Sequence, residues 1–182
     1  MTITIARPAS YIITLDEARN HLQITHDEDN AMIDQLIATA QEYIEQTTRV
    51  LLTARNVTIL SESLSEEIDL PFYPANSITS IKYYDENNTQ QTMAASNYVL
   101  YSTRPAKIKL NSVPNLYDRP DAAQVIVNCG YSNSGDVPMN LKHGVKLLLT
   151  ALYENRSEIA AIKLEHNAIG IDYLLGNYYA RI

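Results

Sequence analysis

The spacing of apolar residues changes twice along this chain, and this change limits its possible folds more than any other feature. Apolar residues recur every three or four positions in the first 49 residues and again after residue 137, as in amphipathic helices. Between residues 50 and 131 they alternate in short runs separated by polar turns, as in strands. The sequence therefore predicts an α+β fold, a helical bundle from N-terminal and C-terminal helices with a small inserted antiparallel β-rich region.

The length of the chain, 182 residues, suits one domain with a sizeable insertion. We expect a single domain over residues 1–182. Within it, residues 1–49 hold the N-terminal helices, residues 50–131 the β-rich insertion, and residues 132–182 the C-terminal helices and a docking tail.

Two helices are predicted in the first 49 residues. Thr14-Leu-Asp-Glu17 is a capping box, which predicts a helix over roughly residues 15–23. The acidic cluster Asp27-Glu-Asp-Asn30 suits the positive end of a second helix, and we interpret its acids as capping residues. The buried stripe predicted for this helix contains Met32, Ile33, Leu36, Ile37, Ala40, Tyr43 and Ile44.

The middle of the chain predicts six or seven short strands joined by polar turns. Residues 85–88 are predicted to form a hairpin turn, because asparagine tolerates a positive φ. The predicted strands cover residues 56–60, 68–72, 77–84, 89–93, 98–101, 107–110 and 123–128.

A third long helix is predicted to begin near Pro138, where the missing N–H of proline costs nothing. Its last turn holds Tyr153-Glu154-Asn155-Arg156, and Arg156 suits the negative end of the helix. A weaker helical stretch follows at residues 158–165. The apolar, aromatic tail at residues 169–182 is expected to dock on its own core or on a neighbour. The stripe predicted for the long helix contains Leu141, Val145, Leu148, Leu149 and Leu152.

Composition argues against several classes of function. The net charge of −7 and the scattered basic residues argue against a nucleic-acid-binding regulator. The single cysteine, Cys129, excludes an intrachain disulfide and a multi-cysteine zinc site, and is expected in the core. The sequence shows neither a signal-peptide pattern nor an apolar run of membrane-spanning length. We therefore expect synthesis in a reducing cytoplasm and no membrane partner.

No arrangement of residues in the sequence specifies catalysis. The four histidines, at positions 21, 26, 143 and 166, form no close metal-binding pair, and residues 27–30 lack the glycine and distal glutamate of a calcium loop. Glycine-rich phosphate loops and a nucleophile elbow are also missing from the sequence. We expect no catalytic, cofactor or metal site. The alternative is a small α+β hydrolase or metal enzyme, which would need a polar pocket.

Tyrosine usage, the tetrad at residues 153–156 and the apolar tail at residues 169–182 predict an interaction surface. The chain has 13 tyrosines against one phenylalanine and no tryptophan, and tyrosine suits surfaces that a partner covers. Strand propensity explains part of this count, and capping within the chain is the alternative for the tetrad at residues 153–156. The candidate interface residues are Tyr153, Glu154, Arg156, Tyr173, Leu174, Leu175, Tyr178 and Tyr179.

The order and spacing of these segments carry a family resemblance. The resembling segments are residues 14–22, residues 29–37 continuing to 43–45, Leu70-Pro71 with residues 78–85, Gly130-Tyr131, Val137-Pro138, residues 153–156, and Leu174-Leu175 with Tyr179 and Arg181. Together they resemble the head–tail connector (adaptor) proteins of long-tailed bacteriophages and related prophages, in a branch with a β insertion between the helices. The resemblance covers nearly the whole chain. It departs from the family at Asn87-Asn88, where a hairpin glycine is common, and in lacking a tryptophan in the last long helix.

This resemblance implies a structural, non-enzymatic virion protein at the head–tail junction, made in the bacterial host cytoplasm. It implies a closed ring of about a dozen subunits below the portal protein, in which each subunit meets its neighbour through different faces. Such a ring extends the DNA channel and docks the next head-completion (stopper) or tail protein. DNA would pass through an acidic lumen without specific binding. The tail at residues 169–182 is the candidate segment for docking on the portal or a neighbour.

Overall fold

The computed structural model describes residues 1–154 and 173–178, and it confirms the predicted α+β class. This part of the chain contains three long α-helices, eight strands, short 3-10 helices at Ala95–Asn97 and Ser134–Asp136, and a helical segment at residues 173–175. The helices are α1 (Leu15–Leu22), α2 (Asn30–Thr48) and α3 (Met139–Glu154). The strands are β1 (Thr2–Ile5), β2 (Arg55–Ser61), β3 (Glu67–Asp69), β4 (Ala75–Tyr84), β5 (Gln90–Thr92), β6 (Tyr98–Tyr101), β7 (Lys107–Leu110) and β8 (Ala123–Cys129).

The strands belong to one compact unit, formed by residues 1–9 and 53–131. Five strands form an antiparallel sheet in the order β1-β2-β8-β4-β5, and three form a second antiparallel sheet in the order β3-β7-β6. Alternate residues of the central strands are buried, as a half-buried strand requires. The buried residues on these strands include Val57, Ile59, Ile81, Val125 and Val127.

Strand β1 was not predicted, because residues 1–49 were expected to hold the N-terminal helices. β1 pairs antiparallel with β2, and Ile3 lies opposite Ile59. Its alternating segment is only four residues long, and three of these residues are exposed. Such a segment carries too little periodicity to be recognised before its partner strand is known.

Two backbone conformations shape this β unit. Gly130 has a φ of +109°, and a Cβ atom there would lie 2.4 Å from the carbonyl oxygen of Thr53, so only glycine fits. The predicted turn at residues 85–88 is confirmed, with Asn88 at a φ of 57°. The Asp85 carboxylate accepts hydrogen bonds from the Gln91 side chain and from the N–H groups of Thr89 and Asn87. The bond from Gln91 has the largest effect, and together these bonds lower the pKa of Asp85 below its usual value.

The helices belong to the second compact unit, residues 10–52 and 132–182. Helix α1 begins with the predicted capping box, which is confirmed. The Thr14 hydroxyl accepts from the Glu17 N–H at 3.2 Å, and the Glu17 carboxylate accepts from the Thr14 N–H at 3.0 Å. The helix ends at Leu22, one residue before the predicted boundary, and Gln23 follows in the left-handed conformation.

Helix α2 buries a different stripe from the predicted one. Tyr43 is 39% exposed, so its assignment to the stripe is wrong, and Met32 is only half-buried. The buried positions instead include the polar residues Gln41, Glu45 and Thr48. They are tolerated there because hydrogen bonds satisfy them. The remaining members of the predicted stripe, Ile33, Leu36, Ile37, Ala40 and Ile44, are buried.

The acidic residues before α2 do not cap the helix with their side chains, which corrects the sequence interpretation. Asp29 is the N-cap residue, but its side chain makes no capping hydrogen bond. The Asp27 carboxylate instead pairs with Arg19 at 2.5 Å, and Asp29 accepts from the Tyr153 hydroxyl. These carboxylates therefore join helices instead of completing one.

Helix α3 begins at Met139, directly after Pro138, as the sequence predicts. Four of its five predicted stripe residues are buried, and Leu152 is half-buried. Gly144 is buried as well, because α3 packs closely on α2 there. The helical stretch predicted at residues 158–165 lies outside the described residues.

Candidate interface and its supporting contacts

The last turn of α3 holds two of the candidate interface residues, and they have different surroundings. Tyr153 is half-buried, and its hydroxyl donates to the Asp29 carboxylate at 2.6 Å. Glu154 is exposed. Tyr153 therefore ties the end of α3 to the start of α2, whereas Glu154 faces solvent. Arg156 lies outside the described residues.

The candidate residues near the C-terminus also divide into inward-facing and outward-facing side chains. Tyr173 is 88% exposed, the most exposed large hydrophobic side chain described in the chain. Leu175 is completely buried, and Leu174 and Tyr178 are half-buried. Tyr179 lies outside the described residues. One side chain of the predicted docking tail is therefore an anchor within its own subunit.

The side chain of Leu175 packs against α2 and α3. A Cβ atom added to Gly144 would lie 3.5 Å from Leu175 Cδ2 and 3.6 Å from Ile44 Cδ1, which are ordinary packing distances. The missing side chain of Gly144 thus leaves a shallow notch between the two helices, and Leu175 lies beside it. This contact places the neighbouring Tyr173 at the surface of the helical unit.

A buried polar cluster that the sequence analysis missed supports α2. Gln41 Oε1 accepts from the N–H of Ile12 at 2.8 Å, and Gln41 Nε2 donates to Glu45 Oε1 at 3.0 Å. The same Glu45 oxygen accepts from the N–H of Leu52 at 2.8 Å. The cluster therefore links Ile12 and Leu52, near the two ends of segment 10–52, to side chains of α2. Its signal in the sequence is a Gln and a Glu four residues apart inside an apolar stripe.

In the β unit, Arg119 joins the hairpin turn at residues 85–88 to the loop that precedes β8. Its guanidinium makes a bidentate pair with Asp121 at 2.6 and 2.9 Å and donates to the Asn88 side chain at 3.1 Å. It also lies 3.8 Å from the centre of the Tyr84 ring. Hydrogen bonding to Arg119 lowers the pKa of Asp121 below its usual value. The neighbouring side chain of Tyr117 is 41% exposed at this tip.

The described reactive side chains are held in ordinary structural surroundings. Burial raises the pKa of the Cys129 thiol to about 11, so the thiol stays protonated at neutral pH. His21 contacts the Thr150 hydroxyl at 3.1 Å, and His26 pairs with Glu28 at 3.7 Å.

Within residues 1–154 and 173–178, no three His, Cys, Asp or Glu side chains lie together as a metal site would require. In the same residues, every helix is too short or too polar to cross a membrane.

The fold and these contacts define an α+β protein with a helical unit and a β unit. The family model for the phage gp6-like head-tail connector protein matches residues 12–111. Because this match covers more than half of the sequence, the chain belongs to the phage gp6-like head-tail connector family and is a structural connector protein.

Three solved structures share the fold over 100% of this chain and 97% of the matched chain. The neck of an empty GTA particle, computed with C6 symmetry, matches with a TM-score of 0.82 at 18% identity. The neck of a native GTA particle, computed with C12 symmetry, matches with a TM-score of 0.79 at 18% identity. The virion of a native gene transfer agent (GTA) particle matches with a TM-score of 0.76 at 20% identity. No curated protein sequence matches the chain.

Proposed function

We propose that this connector forms a closed ring at the head–tail junction of a virion, below the portal protein. The observation that carries the proposal is the end-to-end structural match to a neck computed with C12 symmetry. Membership of the head-tail connector family supports the same position. The ring would extend the DNA channel and dock the next head-completion or tail protein, and it requires no catalysis. The subunits would be made in the cytoplasm of the bacterial host before they enter the particle.

The charge of the chain is compatible with a channel through which DNA moves. A subunit with a net charge of −7 contributes repulsion between the ring and the DNA phosphates. DNA then passes the lumen without the Lys and Arg contacts that produce tight binding. A ring of about a dozen such subunits would multiply this effect.

Of the candidate interface residues, the structure leaves a subset suited to partner contacts. Tyr173 and Glu154 are exposed, and Leu174 and Tyr178 are half-buried, so we propose them as contacts with the portal or a neighbour. Arg156 and Tyr179 are proposed with them on the basis of their sequence positions. Leu175 and Tyr153 would support this surface from within the subunit, through the α2–α3 notch and Asp29.

Genetic complementation tests the proposal. Disruption of the gene should leave DNA-filled heads and separate tails, because the junction between them is missing. Wild-type protein supplied from a plasmid should restore tailed particles, counted by electron microscopy. Tyr173→Ala should restore fewer than the matched control Tyr117→Ala, which removes a tyrosine exposed on the β unit. Normal tailed particles from the disrupted gene would exclude the connector function, and equal restoration by the two variants would exclude the role of Tyr173.

A further inference from the structure

Two helix faces of the helical unit carry opposite charge, an exposed acidic face on α2 and a basic face on α3 whose lysines are half-buried. On α2, Asp34, Ala38 and Glu42 follow one another at four-residue intervals and form one row, with both acids exposed. On α3, Lys142 and Lys146 form a row with the same interval, and exposed Met139 and His143 lie beside it. The two acids are about 12 Å apart along their helix and the two lysines about 6 Å apart along theirs.

These charges are not neutralised within the subunit. In the described part of the chain, none of the four charged side chains has an ion-pair partner within 4.0 Å. The imbalance extends beyond α2, because residues 10–52 contain eight carboxylates and two arginines, a formal charge of −6 out of −7 for the chain. In the other described residues of the helical unit, 132–154 and 173–178, the Lys and Arg side chains are Lys142 and Lys146 of α3.

We propose that a second copy of this chain binds each of these faces, so that α2 of one subunit packs against α3 of the next. The inference rests on the proposed ring and names the surfaces that close it. Asp34 and Glu42 face Lys142 and Lys146 across the contact. Rows at four-residue intervals on both helices can interdigitate, and small Ala38 leaves space on the acidic face for Met139, which is 74% exposed.

The charge pattern disfavours a two-fold contact in which α2 meets α2 of the partner. In a two-fold contact through α2, Asp34 and Glu42 would approach the same acids of the partner, and like charges in contact are strongly unfavourable. A contact between different faces pairs opposite charges and leaves one free face on each of the two subunits, basic on one and acidic on the other. Repetition of this contact produces a ring when the rotation closes.

Charge reversal in the full-length chain tests the inference. Ring assembly is followed by electron microscopy and light scattering at low ionic strength, where interactions between exposed charges are strongest. Lys142→Glu with Lys146→Glu, and separately Asp34→Lys with Glu42→Lys, should each raise the protein concentration for half-assembly at least about tenfold. The variant with all four changes should recover assembly. Glu62→Lys with Glu66→Lys, on an exposed loop of the β unit, is the control for net charge.

Circular dichroism establishes that each variant is folded, and Lys142→Gln with Lys146→Gln serves as a milder change that should also weaken assembly. Recovery by the fourfold variant supports the contact, because a folding defect would not be repaired by further charge reversal. Assembly of either reversed pair at the wild-type concentration overturns the inference, as does failure of a folded fourfold variant to recover. A wild-type chain that forms no ring overturns the inference, whereas the proposed function is contradicted separately, by normal tailed particles from the disrupted gene.

Discussion

Glu45 is the side chain on which the ends of segment 10–52 converge. Its replacement by alanine removes the acceptor of the Leu52 N–H and the Gln41 amide in a buried place. We expect Glu45→Ala to lower the free energy of unfolding by about 2–4 kcal/mol in urea denaturation. Glu45→Gln keeps an acceptor oxygen and should cost less. Exposed Glu42→Ala on the same helix is the control, and an equal small loss for Glu42→Ala and Glu45→Ala would contradict the structural role of the cluster.

Gly130 provides a second prediction for a single residue. Gly130→Ala combines a φ of +109° with a Cβ atom 2.4 Å from a backbone oxygen, so we expect a loss of about 2 kcal/mol or more. Thermal unfolding measures it. Gly135→Ala is the matched control, because a Cβ atom there meets no atom within 4 Å. Equal Tm values for both variants would show that the backbone near Thr53 yields easily.

Cys129 gives a prediction about reactivity and pH. A thiol whose pKa is raised to about 11 is protonated at pH 8, and protonated thiols are poor nucleophiles. The native protein should therefore react with a thiol reagent far more slowly at pH 8 than the urea-unfolded chain. Its rate should rise as the pH approaches 11. Equal rates in the two states would contradict the burial of Cys129.

At the scale of elements, the C-terminal residues 173–178 depend on the α2–α3 notch. Leu175→Ala removes a fully buried side chain and should cost about 2–3 kcal/mol in the free energy of unfolding. Tyr173→Ala, two positions earlier and 88% exposed, should change it by less than about 0.5 kcal/mol. Chemical denaturation of the pair measures both. If Leu175→Ala is as stable as Tyr173→Ala, the tail is not anchored at Gly144.

The elements also show which parts of the fold the sequence can predict. Helices α1, α2 and α3 and most strands follow from periodicity, because each long element repeats its pattern several times. Strand β1 does not, because a strand of four residues depends on β2 for its recognition. The polar positions in α2 were missed since Gln and Glu usually face water, and here their partners are the backbone N–H groups of Ile12 and Leu52.

The candidate interface was predictable only in part, for a similar reason. Composition indicates tyrosine-rich surfaces, but it does not separate exposed Tyr173 from the hydrogen-bonded Tyr153. Leu175 packs beside Gly144 and Ile44, which lie far from it in the sequence, so no local sequence pattern predicts this contact. The unmatched charges of α2 and α3 become visible only when the exposed face of each helix is known.

The whole molecule is expected to act as part of an assembly. A subunit of the head-tail connector family, with the fold of a neck protein and opposite charges on two helix faces, should close into a ring. The net negative charge of the subunits would then let DNA pass through the ring without being bound tightly. Family membership shows the connector class, and the opposite charges of α2 and α3 lead us to expect the ring.

Electron cryomicroscopy of the neck of the particles that contain this chain tests whether the subunits form this ring. We expect a closed ring at the head–tail junction, with cyclic symmetry and with this α+β fold in each subunit. We also expect α2 of each subunit to contact α3 of the next. Particles in which the chain lies elsewhere, or lies at the junction without forming a closed ring, would contradict the proposed connector ring.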